Sequence, residues 1–256
     1  MTERNTDAEA RLRSLLPEGG FLWLRETDST NRQLRSLAAS GAEAGTALLA
    51  DYQTAGRGRM GRSFASPAGK GLYLSVLLRP DMAALETLTP RAAVALRRVL
   101  REVCGLDAQI KWVNDLLCHG KKLCGILTEG AFRDGEAQFA VLGVGLNVSA
   151  LPSDFPPELR ETATSVLLET GAAPPMETLA AAVIRALRAL PELGETDGAA
   201  FLAEYRAACV TPGQPVRLTD GTAGFAEDVE ADYSLRVRTA EGEIRRVRSG
   251  EVERGS

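Results

Sequence analysis

Leu72 to Leu78 is a continuous apolar run closed by Pro80, and the stretch before it, Gln53 to Gly71, is too rich in Gly, Arg and Ser for a helix or a strand. Thr46 to Tyr52 reads as another strand before that stretch. The chain must therefore fold so that one long polar loop joins two buried strands. Around this pair, Phe21 to Arg25 alternates like a strand, and Asp28-Ser29-Thr30-Asn31 offers hydroxyl and carboxylate caps for a helix ending near Gly41. Pro90 suits a helix start, with Ala93, Leu96, Val99, Leu100 and Val103 following at helical spacing before Gly105. Strand-like segments then come at Gln109 to Val113, Leu116 to Cys118, Lys122 to Phe132 and Ala137 to Val148, with His119-Gly120-Lys121 as a hairpin tip. Leu179, Val183, Ala186, Leu187 and Leu190 mark a further amphipathic helix. This order predicts an α+β fold, a mixed sheet with helices packed on it.

After Thr211-Pro212-Gly213 the texture changes to short strands at 216–218, 223–229, 234–238 and 243–247, separated by Asp-Gly and Glu-Gly turns. That pattern predicts a small all-β barrel. The expected division is an N-terminal arm over residues 1–20, a main domain over 21–211 and the barrel over 212–256. The arm is too short for a winged helix-turn-helix, so no DNA-binding domain is expected. No internal repeat is evident.

At 256 residues, with 25% charged and 45% hydrophobic residues, the chain is long enough for a proper core and has the composition of an ordinary globular protein. A net charge of -4 argues against a general affinity for nucleic acid. The four cysteines form no CxxC pair, and the N-terminus lacks the apolar core of a signal peptide, which together predict a reducing cytoplasm. Cys118, His119 and Cys124 match no zinc spacing and lack a fourth ligand. No apolar run approaches the roughly 20 residues that span a bilayer, so no membrane association is expected.

Local charge is distributed differently. From Gln53 to Pro80 there is no acidic residue, while Arg57, Arg59, Arg62, Lys70 and Arg79 are all cationic. Glycines 56, 58 and 61 free the backbone to present N–H groups, and the arginines supply forked donors for carboxylate or phosphate. Gly56 to Ser63 nearly matches the P-loop pattern, but Arg62 replaces its lysine and a strand follows in place of a helix. With no acidic neighbour in sequence, the three arginines repel one another, and the loop is expected to be mobile until an anion arrives.

Four further segments accompany this loop: Asp28-Ser29-Thr30-Asn31, Lys111-Trp112-Val113-Asn114-Asp115-Leu116, Lys122 to Glu129, and Gly143-Val144-Gly145-Leu146-Asn147-Val148. In identity, order and spacing the set resembles the biotin protein ligase family, from Phe21 to the C-terminal barrel. The resemblance implies a class II synthetase-like catalytic domain and an SH3-like barrel. It also implies a two-step reaction in which biotin and ATP give biotinyl-AMP and pyrophosphate, and a lysine of a biotin carboxyl carrier protein or domain then takes the biotin. By the family pattern, Ser29, Thr30, Asn31 and Gln53 face the biotin rings, and the backbone around Gly56, Arg57, Gly58 and Arg59 meets the chain and carboxylate. Lys122 bridges carboxylate and phosphate, while Gly125 and Gly143 form the pocket wall. Arg59, Arg62, Phe64, Lys111, Asn114, Lys122 and Asn147 fall to ATP and the adenylate. Cations are needed because the first step presses two anions together. Mg2+ shares the polyphosphate charge, with Asp115 as candidate ligand and as the group that orients or accepts a proton from the carrier lysine. Lys122, Arg57, Asp115 and Lys111 are thus the expected catalytic residues.

Two positions depart from the pattern. Val113 stands where the family usually has proline, and Phe64 where tryptophan is common, so ring shielding survives but an indole hydrogen bond does not. A lipoate or octanoate ligase is the nearest rival, disfavoured by the Arg-Gly loop and the Lys-Trp-x-Asn-Asp run. A non-catalytic biotin sensor is disfavoured by Lys122 and Asp115 standing together with the loop. A homodimer is compatible with the sequence, which does not say which strand edges would pair.

Overall fold

The apolar run singled out in the sequence is the strand β3 (Gly71–Leu78), every residue of which is buried. The structure, a computed structural model, describes residues 6–134, 136–192, 195–248, 250 and 253–254. Burial on both faces suits a strand inside a sheet, and β3 lies third in a seven-stranded one. The order is β1 (Phe21–Thr27), β2 (Ala47–Gln53), β3, β7 (Glu136–Asn147), β6 (Lys121–Arg133), β5 (Asp115–Cys118) and β4 (Gln109–Lys111). β1 and β2 run parallel, joined through the helix α2 (Thr30–Ala39), and every other pair is antiparallel. The fold is mixed α+β, as the sequence predicts.

Alternation along the strands sends side chains into two separate layers. Leu74, Val76 and Leu78 join Ala140, Leu142 and Val144 in the larger core, under α3 (Met82–Cys104) and α5 (Met176–Arg188). Leu77 instead meets Leu48, Val141, Leu34 and Ala38 beneath α2. Helix α2 covers only part of that second face, and the uncovered part carries the candidate site. Within the stretch expected as an N-terminal arm, α1 (Thr6–Leu15) packs on α5, burying Ala8 and Leu12.

One helix boundary differs from expectation. Helix α3 begins at Met82, where the Asp81 carboxylate accepts from Ala84 N at 2.7 Å, and Pro90 lies within it, buried. An internal proline leaves the Glu86 carbonyl without its helical donor and costs about 3 kcal/mol. Burial of Leu88, Ala92, Ala93, Leu96 and Leu100 on the sheet offsets this. Besides α1, two helices were not anticipated, α4 (Val166–Thr170) and α6 (Glu195–Ala208).

Beyond residue 211 lie β8 (Pro215–Arg217), β9 (Ala223–Val229), β10 (Leu235–Thr239), β11 (Ile244–Val247) and β12 (Glu253–Arg254). They form an antiparallel sheet of order β11-β10-β9-β8-β12. Its buried residues Val216, Ala226, Leu235 and Val237 belong to the same continuous core as the first sheet. The four cysteines are free, and burial pushes the Cys118 thiol up to about 11, with Glu169 and Asp107 adding to the rise. Among the described residues no cluster of three metal-binding side chains occurs, and no helix is long and apolar enough to cross a membrane.

Candidate functional site

Sheet register assembles the floor of a cavity on the partly covered face. Lys111 pairs with Asp115, Asp115 with Gly125, Gly125 with Gly145 and Gly145 with Tyr73, giving one cross-strand row over five strands. A second row runs Leu127, Gly143, Ser75 and Leu48. Glycines recur on alternate residues of β7, so the floor is hollow there. A Cβ at Gly145 would lie 2.5 Å from the Phe64 ring, and one at Gly143 would lie 2.1 Å from Asn31 Oδ1.

Lys122 reaches this face through a break in register. On β5 the adjacent residues Leu116 and Leu117 pair with Cys124 and Lys122, so Leu123 is an extra residue on β6. Simple alternation would put Lys122 and Gly125 on opposite faces; the bulge puts both on the cavity wall. The main chain of Lys122 is held as well, its N–H donating to Thr162 O at 2.7 Å and its carbonyl accepting from Thr164 N at 2.9 Å. Its ammonium lies 2.9 Å from Asp115 Oδ1 and 6.0 Å from the Phe64 ring centroid.

A neutral polar wall stands opposite. Ser29 is the N-cap of α2 by position, but its side chain makes no capping bond. Gln53, at the end of β2, supplies the acceptor: its Oε1 takes Thr30 N at 2.9 Å and lies 3.2 Å from Thr30 Oγ1. The hydroxyl and carboxylate caps expected from sequence are thus replaced by an amide from another strand. Asp28 turns outward to Ser29 N and Arg32; burial opposes its ionisation, but these donors outweigh it and hold the carboxyl below its usual range. Gln53 Nε2 donates onward to Ser66 Oγ at 2.9 Å, and Ser75 Oγ donates to Asn31 Oδ1 at 2.6 Å.

The arginine-glycine loop closes the cavity from above. Gly58 N donates to Arg62 O at 2.8 Å and Phe64 N to Gly56 O at 2.9 Å, so its backbone forms a small hairpin around the turn Arg59–Gly61. The arginines have partners remote in sequence. Arg57 Nη1 is 3.9 Å from Glu129 Oε1, and Arg59 donates to Asn114 Oδ1 at 2.6 Å and to the Gly250 carbonyl. Asn114 is itself pinned to β6, its Nδ2 donating to Ile126 O and its carbonyl accepting from Ile126 N. The Trp112–Val113 peptide, where the family usually has proline, is cis.

Ser29, Thr30, Asn31, Gln53, Arg57, Gly58, Arg59, Arg62, Phe64, Lys111, Asn114, Asp115, Lys122, Gly125 and Gly143, all expected from sequence, line this one cavity. Gly56 and Asn147 do not line it. At Gly56 a Cβ would sit 2.5 Å from Phe64 O, so this glycine lets the two limbs of the hairpin close together. Asn147 is buried, with Nδ2 donating to Thr164 O at 2.9 Å, which directs its amide at the 162–164 segment. Ser249 and Glu251, the chain neighbours of Gly250, lie outside the described residues. Sequence reasoning missed Ser63, Trp112 and Gly145 on the wall, and Ser75 and Glu129 in its support. Gly145 was legible, since it repeats Gly143 at the strand period.

The family model described as the biotin/lipoate A/B protein ligase family matches residues 23–147, which include all of these cavity residues. A biotin--[acetyl-CoA-carboxylase] ligase of Mycobacterium tuberculosis is 36% identical over 238 residues, covering 87% of this chain and 86% of that protein. The chain belongs to the biotin protein ligase family. The bifunctional ligase/repressor BirA of Bacillus subtilis is 43% identical over 145 residues, and the match spans 45% of its length. Among solved structures, a biotin protein ligase from Aquifex aeolicus in complex with biotin and ATP superposes with a TM-score of 0.75 at 28% identity, over 92% of this chain and 99% of the other.

Proposed function

We propose that this member of the biotin protein ligase family joins biotin to AMP at the expense of ATP and then transfers the biotin to a lysine of a carboxylase carrier domain. The observation that carries this reading is the convergence of Lys122, Lys111, Arg57, Arg59 and Arg62 on a glycine-floored cavity with a neutral polar end. A neutral ring buried at the polar end needs neutral partners, which Ser29, Thr30 and Gln53 supply. The biotin carboxylate then points to the cationic end. There one of its oxygens attacks the α-phosphorus of ATP, the bond to pyrophosphate breaks, and the surrounding cations offset the repulsion between the two anions.

In the second step a carrier lysine amine attacks the anhydride carbonyl and AMP departs. Asp115, beside Lys122 on the floor, orients that amine and takes its proton. Lys111, Arg62, Phe64 and Asn114 hold the nucleotide portion. Asp115 would be the protein carboxylate that holds Mg2+, an ion that keeps phosphate and water oxygens as most of its ligands. Its chemistry there would be to offset polyphosphate charge. We read the second sheet as an SH3-like barrel over residues 212–256 appended to a catalytic domain over 21–211; five short antiparallel strands in continuous order support this.

Two assays test the proposal. ATP-pyrophosphate exchange should depend on biotin and be negligible with lipoate. Labelled biotin should pass to a carrier domain, and Lys122→Ala should cut adenylate formation by about a hundredfold, the usual consequence of losing one charge-stabilising donor. Exchange driven by lipoate, or by neither acid, would overturn the assignment.

A further inference from the structure

We propose that Ser66 is a positioning residue that locks the arginine-glycine loop to the polar wall facing the biotin ring and so retains the adenylate between the two half-reactions; this rests on the biotin ligase reading above. Ser66 is buried and does not line the cavity. It precedes Pro67, which biases its backbone toward extended conformations, and its hydroxyl stands where the base of the loop meets Gln53. Its Oγ accepts from Gln53 Nε2 at 2.9 Å and donates to Phe64 O at 3.1 Å.

The donors and acceptors allow one direction. A backbone N–H only donates, so the Gln53 atom that meets Thr30 N at 2.9 Å is the amide oxygen, and the amide nitrogen faces Ser66. A carbonyl only accepts, so the single Ser66 hydroxyl proton goes to Phe64 O. The chain of bonds therefore runs from the first turn of α2 through Gln53 and Ser66 to the main chain of Phe64, whose N–H donates to Gly56 O at 2.9 Å. Both main-chain groups of Phe64 are thus held, and its ring lies against Gly145 and edge-on to Tyr73, with centroids 6.4 Å apart. Gly56 leaves no slack at this crossing: a Cβ there would stand 2.5 Å from Phe64 O and 2.7 Å from Ser66 Oγ. Beyond Ser66 the chain has anchors of its own, Tyr73 Oη donating to Pro67 O and Gly69 N to Asp51 O, each at 2.9 Å. Loss of the Ser66 hydroxyl consequently frees the limb that carries Arg62 and Phe64 and leaves the sheet intact.

The test follows labelled biotinyl-AMP, formed without a carrier and chased with unlabelled biotin, alongside biotin binding by calorimetry and limited digestion with trypsin. In Ser66→Ala the adenylate should escape about tenfold faster, while biotin affinity changes by less than about threefold, because Ser29, Thr30 and Gln53 still face the ring. Trypsin should cut after Arg57, Arg59 and Arg62 about fivefold faster, with cuts elsewhere unchanged, which a general loss of structure would not allow. Ser66→Thr keeps the hydroxyl and should hold the adenylate nearly as wild type does. Gly56→Ala crowds the same crossing from the other limb and should reproduce the escape, a second reading if Ser66→Ala folds poorly. Escape at the wild-type rate in Ser66→Ala or Gly56→Ala, or biotin affinity lost in parallel with the adenylate, would overturn the lock alone. A wild-type protein that forms no adenylate would overturn the ligase reading, and unchanged trypsin rates in Ser66→Ala would then overturn the lock as well.

Discussion

A methyl group at residue 143 would have nowhere to go. The position faces Asn31 so closely that a Cβ would stand 2.1 Å from Oδ1, and that oxygen is held by Ser75. Gly143→Ala should therefore displace the Asn31 amide and raise the KM for biotin by about tenfold while the KM for ATP changes little, as steady-state pyrophosphate exchange would reveal. Equal KM values for biotin in variant and wild type would contradict the placement of the ring at this end. The same logic explains which site residues were legible in advance. Residue types that carry charge or hydroxyl chemistry stood out in the sequence, whereas Ser75 sits inside an apolar strand and is identified only by the amide it faces.

At the scale of elements, Glu169 joins two pieces of backbone that flank Lys122. Its Oε1 accepts from Thr164 Oγ1 at 2.5 Å, in the segment hydrogen-bonded to the Lys122 main chain, and its Oε2 lies 2.6 Å from His119 Nδ1 at the β5–β6 turn. Burial opposes ionisation of this carboxyl, but the Thr164 and His119 hydrogen bonds outweigh it and hold it below the ordinary value of 4.5. A carboxyl with a depressed folded-state value stabilises the fold above its unfolded value and loses that contribution as pH falls through the folded one. Glu169→Gln should accordingly lower the urea midpoint at pH 7, with the gap to wild type closing as pH drops below about 4.5. A gap that persists unchanged at about pH 3 would show that Glu169 acts through packing alone.

Element boundaries show where periodicity misleads. Pro90 reads as a helix start because proline favours a first turn, yet Asp81 caps the helix a full two turns earlier and tertiary burial carries the chain through the proline. Helix α6 buries Phe201, Tyr205 and Ala208 at helical spacing, but Gly198 and a scarcity of large apolar residues made it unobtrusive in the sequence. The bulge at Leu123 was not legible at all, since an extra residue exists only relative to a partner strand.

Across the whole molecule, the turn that carries Asn114 and Asp115 is anchored outside its own sheet. Trp112 N donates to Thr211 Oγ1 at 2.9 Å, Trp112 Nε1 donates to Tyr233 O at 2.9 Å, and Tyr233 stacks edge-on against Tyr205 at 5.3 Å. Arg59 reaches the Gly250 carbonyl from the other side. Trp112→Phe keeps most of the ring but leaves the buried Tyr233 carbonyl without this donor, a loss of about 1–3 kcal/mol. Thermal unfolding should then show a Tm lower by several degrees, about 2–4 °C for each kcal/mol in a protein of this size. An unchanged Tm would mean that this hydrogen bond does not couple the second sheet to the cavity.

The sequence by itself determined the family and pointed to the reaction proposed above, because the Arg-Gly loop, Lys122, Asp115 and the Ser29-Thr30-Asn31 set are contiguous motifs whose side chains have a recognisable chemistry. It also determined the strands and the change of texture near residue 211, because period-two patterning and turn residues are local properties. Only the tertiary structure decided how the motifs meet. Register aligned Lys111, Asp115, Gly125, Gly145 and Tyr73 in one row, the Leu123 bulge turned Lys122 onto the same face, and Gln53 replaced the expected cap of α2. The loop from Gly56 to Arg62, whose arginines have no acidic neighbour in sequence, acquired Glu129, Asn114 and Gly250 as partners. Those relations join residues from 55 to 191 positions apart in the chain, and no local pattern encodes a contact of that separation.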